Sequence, residues 1–129
     1  MLRARDAMDR DYRAPLDIPA LARLAYASEA HFIRTFRATF GETPHRYLQR
    51  RRVERAMLLL RESDASVTDV CFEVGFSSLG TFSRTFREIV GESPSQYRRR
   101  PRIEAVPNCF VMAWMRPSSF GEAGGRDAD

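Results

Sequence analysis

Lysine is missing from this chain of 129 residues, so all 21 basic side chains are arginine. A G+C-rich genome, which favours arginine codons, accounts for that absence. No apolar run approaches the roughly eighteen residues of a membrane-spanning helix. The first residues, MLRARDAMDRDYR, lack the apolar stretch of a secretory signal, which points to the cytoplasm. Cysteine and histidine are scarce. Cys71 and Cys109 make no metal-ligand spacing with His31 or His45, so neither a metal nor another cofactor is expected, and disulfides do not suit the compartment. No nucleophile–base pair and no phosphate loop is present, which argues against an enzyme. Alternating strand patterns are also missing up to about residue 100, and the fold class expected is all-α.

What is present is a basic, arginine-rich composition with a repeat. The net charge is +4 and the isoelectric point about 9.7. Arginine offers a planar fork of donors suited to phosphates and guanine edges, and clustered arginines favour an anionic partner. The stretch FIRTFRATFGETPHRYLQR returns about fifty residues later as FSRTFREIVGESPSQYRRR. The copies share Phe32/Phe82, Arg34/Arg84, Thr35/Thr85, Phe36/Phe86, Arg37/Arg87, Gly41/Gly91, Glu42/Glu92, Pro44/Pro94, Tyr47/Tyr97 and Arg50/Arg100. Such self-similarity indicates a duplicated supersecondary unit.

Apolar spacing predicts seven helices. The first runs from Leu2 to about Tyr12 and ends at Ala14-Pro15. Asp17 caps a short second helix that stops near Ala25-Tyr26-Ala27. Ser28 caps a third, over about 29–40, with Phe32 and Phe36 inward and Gly41 at its end. Thr43-Pro44 opens a long fourth helix to about Leu60, roughly 25 Å at about 1.5 Å per residue, followed by a loop over 62–65. The pattern then restarts. Ser66 caps a fifth helix broken by Gly75, in the place where Ala25 ends the second. Ser77-Ser78 caps a sixth over about 79–90, and Ser93-Pro94 opens a seventh that closes at Arg98–Pro101. Residues 101–129 read as a tail. Its apolar run from Cys109 to Met115 reads as a short strand or an extended segment over the helices, or as an exposed contact surface, and its final residues are expected to be disordered.

Each copy is therefore a short helix, a break and a capped second helix with aromatics inward and arginine outward, which is the pattern of a helix-turn-helix. A second helix of this kind fits a DNA major groove. Matched outward arginines in two copies have no packing reason to be kept.

The segment VGFSSLGTFSRTFREIVGESPSQY, residues 74–97, resembles the signature of the AraC/XylS family of bacterial transcription regulators, and Tyr47–Met57 resembles that family's connecting helix. The resemblance extends from Leu2 to Arg100. It implies an AraC-type domain over 1–100, with one helix-turn-helix at about 17–40, a linker helix at about 44–60 and a second helix-turn-helix at about 66–90. It implies double-stranded DNA as the partner, with RNA polymerase as a further one, and two successive major-groove segments read about one turn apart.

Carried onto this sequence, the base contacts implied are Ala30, Ile33 and Arg34 in the first unit, and Leu79, Gly80, Thr81, Ser83 and Arg84 in the second. Arg34 and Arg84 suit guanine O6 and N7; a phosphate or an internal carboxylate is the alternative for each. Ala30, Ile33 and Leu79 reach only thymine methyls, so part of the specificity is expected from DNA shape. Ser28, Arg37, Arg51, Ser78 and Arg87 are the expected phosphate contacts. Of Arg50–Arg52, which turn about 100° apart, at most one or two reach the phosphate backbone and another pairs with Glu54 or a neighbour; that run and Arg98–Arg100 read first as solvated charge and second as phosphate contacts. A helix-turn-helix beginning almost at Met1 leads to the expectation of a standalone regulator that binds DNA as a monomer. A protein-interaction module using 109–115, or a nonspecific architectural DNA binder, are the rival readings.

Overall fold

The computed structural model describes residues 1–101. These form seven helices: α1 (Leu2–Arg10), α2 (Ile18–Leu24), α3 (Glu29–Phe40), α4 (Pro44–Glu62), α5 (Val67–Glu73), α6 (Leu79–Val90) and α7 (Pro94–Arg99). No strand occurs among the described residues, and no helix there is long and apolar enough to cross a membrane. The 109–115 run and the rest of the expected tail beyond residue 101 lie outside the described residues.

Side-chain oxygens cap most of the helices. Asp17, Ser28, Thr43, Ser66, Ser78 and Ser93 each accept the amide three residues ahead, which satisfies one donor left open by the helix start. Ser93 adds a reciprocal bond, its own amide donating to the Gln96 side chain at 2.9 Å. Gly41 and Gly91 close α3 and α6 with φ of +82° and +98°, a left-handed conformation that costs glycine no Cβ clash.

Two cores share α4. Ala4, Ala7, Met8, Leu21, Ala22, Phe32, Phe36, Tyr47 and Leu48 form the first. Val53, Ala56, Met57 and Leu60 of α4 join Val70, Cys71, Val74, Phe76, Phe82, Phe86, Ile89 and Val90 in the second. The repeat is visible in the packing. Phe32–Phe36 and Phe82–Phe86 both lie 5.7 Å apart between ring centroids. Tyr47 stands edge-on to Phe36 at 5.6 Å, and Tyr97 edge-on to Phe86 at 5.7 Å. Glu42 pairs with Arg50 at 2.7 Å, and Glu92 pairs with Arg100 in the same way. The shared glutamate and arginine are thus an internal tie that closes each unit.

The structure departs from the sequence reading in three places. The first helix ends at Arg10, with the Asp11 amide donating to the Ala7 carbonyl, so Tyr12–Ala14 is free to run as a connecting segment. The long helix continues to Glu62, and Arg98 explains why: its guanidinium donates to the carbonyls of Leu60 and Ser63, at 3.0 and 3.3 Å. The third concerns the turns. Ala25 is only the cap of α2; the left-handed residue there is Tyr26, at φ +56°, and it is Tyr26 that corresponds to Gly75, at φ +103°. The second turn is one residue longer, since Val74–Ser77 separates α5 from the Ser78 cap where Ala25–Ala27 separates α2 from Ser28.

Candidate nucleic-acid interface

A helix that buries Phe32 and Phe36 must turn the opposite side outward. Ala30, Ile33, Arg34 and Arg37 follow the spacing i, i+3, i+4, i+7 and share that outer face of α3. All four are exposed, Ile33 at 38%. On α6 the same positions are Gly80, Ser83, Arg84 and Arg87, with Leu79 and Thr81 flanking them near the helix start. Leu79, Gly80, Arg84 and Arg87 are exposed, and Thr81 and Ser83 are partly buried. The structure thus groups the expected residues into two faces, one on each second helix.

Arg34, Arg37, Arg84 and Arg87 form no ion pair or hydrogen bond with the described residues. Their charge is therefore available to a ligand. An unpaired guanidinium in water is well solvated and costs the fold little, so nothing internal determines these four positions. Ser28 and Ser78 lie at the starts of the same two helices, exposed, their Oγ atoms accepting the amides of His31 and Thr81 at 3.2 Å. Each hydroxyl keeps its proton to donate, and the helix start adds partial positive charge.

Arg51 differs from the rest of the expected phosphate set. Its Nε lies 3.2 Å from Asp9 and another guanidinium nitrogen lies 2.6 Å from Glu54. Its neighbours are committed too. Arg50 bonds Glu42 at 2.7 Å and Glu54 at 2.5 Å, and Arg52 donates to the carbonyls of Tyr12 and Ala14 at 2.7 and 2.8 Å. The expected pairing with Glu54 is present and made twice, by Arg50 and Arg51, while the rest of the run, read as solvated charge, is also internally tied, each side chain turned about 100° from the last. Glu54, only 4% exposed, sits between two of them, and burial pushes its carboxyl up against the pull of Arg50 and Arg51. Tyr47 donates to Asp9 at 2.6 Å, and burial holds its phenol far above the ordinary range. Arg51 serves the joint between α1 and α4, which leaves less of its charge for a phosphate than Arg37 or Arg87 keeps.

Cys71 is buried, and its thiol donates to the Ser78 carbonyl at 3.5 Å, tying α5 to the start of α6. Burial pushes that thiol up, which suits a packing role. No cluster of metal-ligating side chains occurs among the described residues. Sequence reasoning missed Arg13 and Glu73, which pair at 2.8 Å across the gap between the α1–α2 connection and α5. They are sixty positions apart in the chain, and no local pattern marks either.

A protein-family model described as a helix-turn-helix domain matches residues 21–100. An uncharacterized HTH-type transcriptional regulator of Haemophilus influenzae is 43% identical over 61 residues, which are 47% of this chain and 20% of that protein. This chain spans about a fifth of the length of such curated relatives. Among solved structures, the DNA-binding domain of the global transcriptional factor AdpA, in complex with a target DNA, is 34% identical with a TM-score of 0.72. That match covers 79% of this chain and 96% of the other. A probable AraC family transcriptional regulator from Rhodopseudomonas palustris is 28% identical, also with a TM-score of 0.72 and the same coverage.

Proposed function

Because the chain belongs to the AraC-type helix-turn-helix family, we propose that it binds double-stranded DNA and regulates transcription, reading two successive major-groove segments with α3 and α6. The observation that carries this reading is the pair of matched faces: Arg34 and Arg37 on one helix, Arg84 and Arg87 on the other, exposed and without internal partners among the described residues. Base contacts fall to Ala30, Ile33 and Arg34 in the first segment, and to Leu79, Gly80, Thr81, Ser83 and Arg84 in the second. Arg37 and Arg87 take flanking phosphates, with the Ser28 and Ser78 hydroxyls and the remaining first-turn amides of the same two helices closing on the backbone. Binding as a monomer, in the cytoplasm and in contact with RNA polymerase, completes the reading.

Selecting duplexes from a random pool provides the site, and titration against salt then tests the mode. Each phosphate neutralised contributes about −0.9 to the slope of log K against log salt, so several contacts give a steep line. A flat response excludes DNA as the partner. Arg84→Ala is expected to cost about 1–3 kcal/mol and to relax preference at one base pair. A loss spread evenly over all sequences would make Arg84 a phosphate contact and would favour an architectural binder.

A further inference from the structure

We propose that Arg52 is a positioning residue that sets the placement of one helix-turn-helix relative to the other, by riveting the Tyr12–Ala14 segment of the first half to α4 and to the turn of the second unit. The inference rests on the DNA-binding reading above. Two observations motivate it. The cores are separate, and α4 carries no apolar side chain between Leu48 of the first and Val53 of the second. That stretch of α4, Gln49-Arg50-Arg51-Arg52, is where the two halves would bend relative to each other. Arg50 and Arg51 bind carboxylates of the first half and of α4 itself, namely Glu42, Asp9 and Glu54. Arg52 reaches across.

Its planar fork uses Nε on the Tyr12 carbonyl at 2.7 Å and a terminal nitrogen on the Ala14 carbonyl at 2.8 Å. Two acceptors on one backbone segment determine the segment's direction as well as its distance. The same guanidinium lies 5.8 Å from the centroid of the Phe76 ring, in the second core. Gly75 fits against this junction with no room to spare. A Cβ there would come 2.9 Å from Arg52 Nε, 3.0 Å from the Arg13 carbonyl oxygen and 3.1 Å from the Arg13 Cα. The turn of the second unit therefore lies directly on the segment that Arg52 holds. Arg13 reinforces the contact through Glu73 at 2.8 Å, and Tyr12 packs against both cores. No carboxylate pairs with Arg52 among the described residues, and burial alone lowers its pKa, so the backbone carbonyls are what its charge is spent on.

Two reading helices on one DNA face must keep step with the duplex. One base pair shifts a groove segment by about 3.4 Å along the axis and about 35° around it. A rigid joint accepts one spacing, whereas a loosened joint accepts neighbours. The test uses the full chain and the duplex that it enriches from a random pool, with one or two base pairs inserted or deleted between the two contacted halves. For the wild type, a one-pair change is expected to weaken binding by about 10- to 100-fold, the loss of one unit's base contacts. For Arg52→Ala, that penalty is expected to shrink to about threefold or less, with only modest weakening on the original spacing. Arg52→Lys, whose ammonium lacks the planar fork, is expected to fall between them. An Arg52→Ala spacing profile parallel to that of the wild type overturns the proposal. If Arg52→Ala does not fold by circular dichroism, Arg13→Ala, which removes the exposed pair with Glu73 and the side-chain contact with Tyr12, decides: a partial flattening supports the rivet, and an unchanged profile overturns it. A wild type that binds no duplex at any spacing overturns the DNA reading, and the positioning role falls with it.

Discussion

At Tyr26 the backbone takes the left-handed conformation that glycine holds at position 75, and the ring is 89% exposed. A side chain with a Cβ raises the energy of that conformation by about 1–2 kcal/mol, and so little burial returns almost none of it. Glycine would relieve the clash while adding about 0.5–1 kcal/mol of unfolded-state entropy. Tyr26→Gly is therefore expected to stabilise the fold by about 1 kcal/mol or somewhat less, read as a higher urea midpoint at unchanged slope. A lower midpoint would show that the ring makes a contact worth more than the strain. Single residues were the hardest part to read from sequence. Arg50, Arg51 and Arg52 look alike as letters, yet they bind Glu42 and Glu54, Asp9 and Glu54, and two carbonyls. What distinguishes them is the direction in which each leaves the helix and what the fold has put there. The repeat keeps Glu42, Arg50, Glu92 and Arg100, yet the solvated-charge reading of both arginine runs missed that they pair, Glu42 with Arg50 and Glu92 with Arg100, and that Arg98 is held by two carbonyls.

The elements themselves were largely legible because local chemistry marks their ends. Ser28, Thr43, Ser66, Ser78 and Ser93 each announce a helix and each caps one. The misjudged boundaries, Arg10 and Glu62, are ends that no glycine marks: α1 closes on the Asp11 amide, and α4 on Ser63, whose amide and hydroxyl both donate to the Leu59 carbonyl. The outer faces of α3 and α6 were legible for a different reason: the phenylalanines at 32, 36, 82 and 86 take the inner side and leave only one side for anything else. Gly80 tests that division within one helix. It lies in the first turn of α6, and a Cβ added there meets no atom within 4 Å. Gly80→Ala is expected to stabilise the fold by about 0.5–1 kcal/mol through helix propensity. The same methyl projects from the face assigned to DNA, and affinity for the selected duplex is expected to fall about tenfold. Chemical denaturation and a binding titration on one preparation measure both, and a variant less stable than the wild type would contradict the placement of that position in open helix.

At the scale of the whole described chain, residues 1–101, two small cores are threaded on one helix, and neither closes without α4. Leu48 serves the first and Leu60 the second, both buried. Leu48→Ala and Leu60→Ala are each expected to cost about 2–5 kcal/mol and to lower one common calorimetric transition. Two separated transitions in either variant would mean that the halves unfold independently. The duplication told of two units, and the spacing of capping residues told of a shared helix. The seam was not legible, because Arg52 meets its acceptors about forty positions away and Arg13 meets Glu73 across about sixty, distances over which no periodicity carries information. The two copies also end differently. Pro44 and Tyr47 begin α4 as Pro94 and Tyr97 begin α7, but Arg50 lies inside its helix whereas Arg100 is the cap, with Pro101 next in the chain. So α7 is α4 interrupted after its second turn, by a residue that cannot continue the helix. The architecture is modular in a literal sense: relieving that stop and extending α7 with residues like 51–62 would present a docking platform for a third reading head, and with it a way to lengthen the footprint by one turn of the duplex at a time.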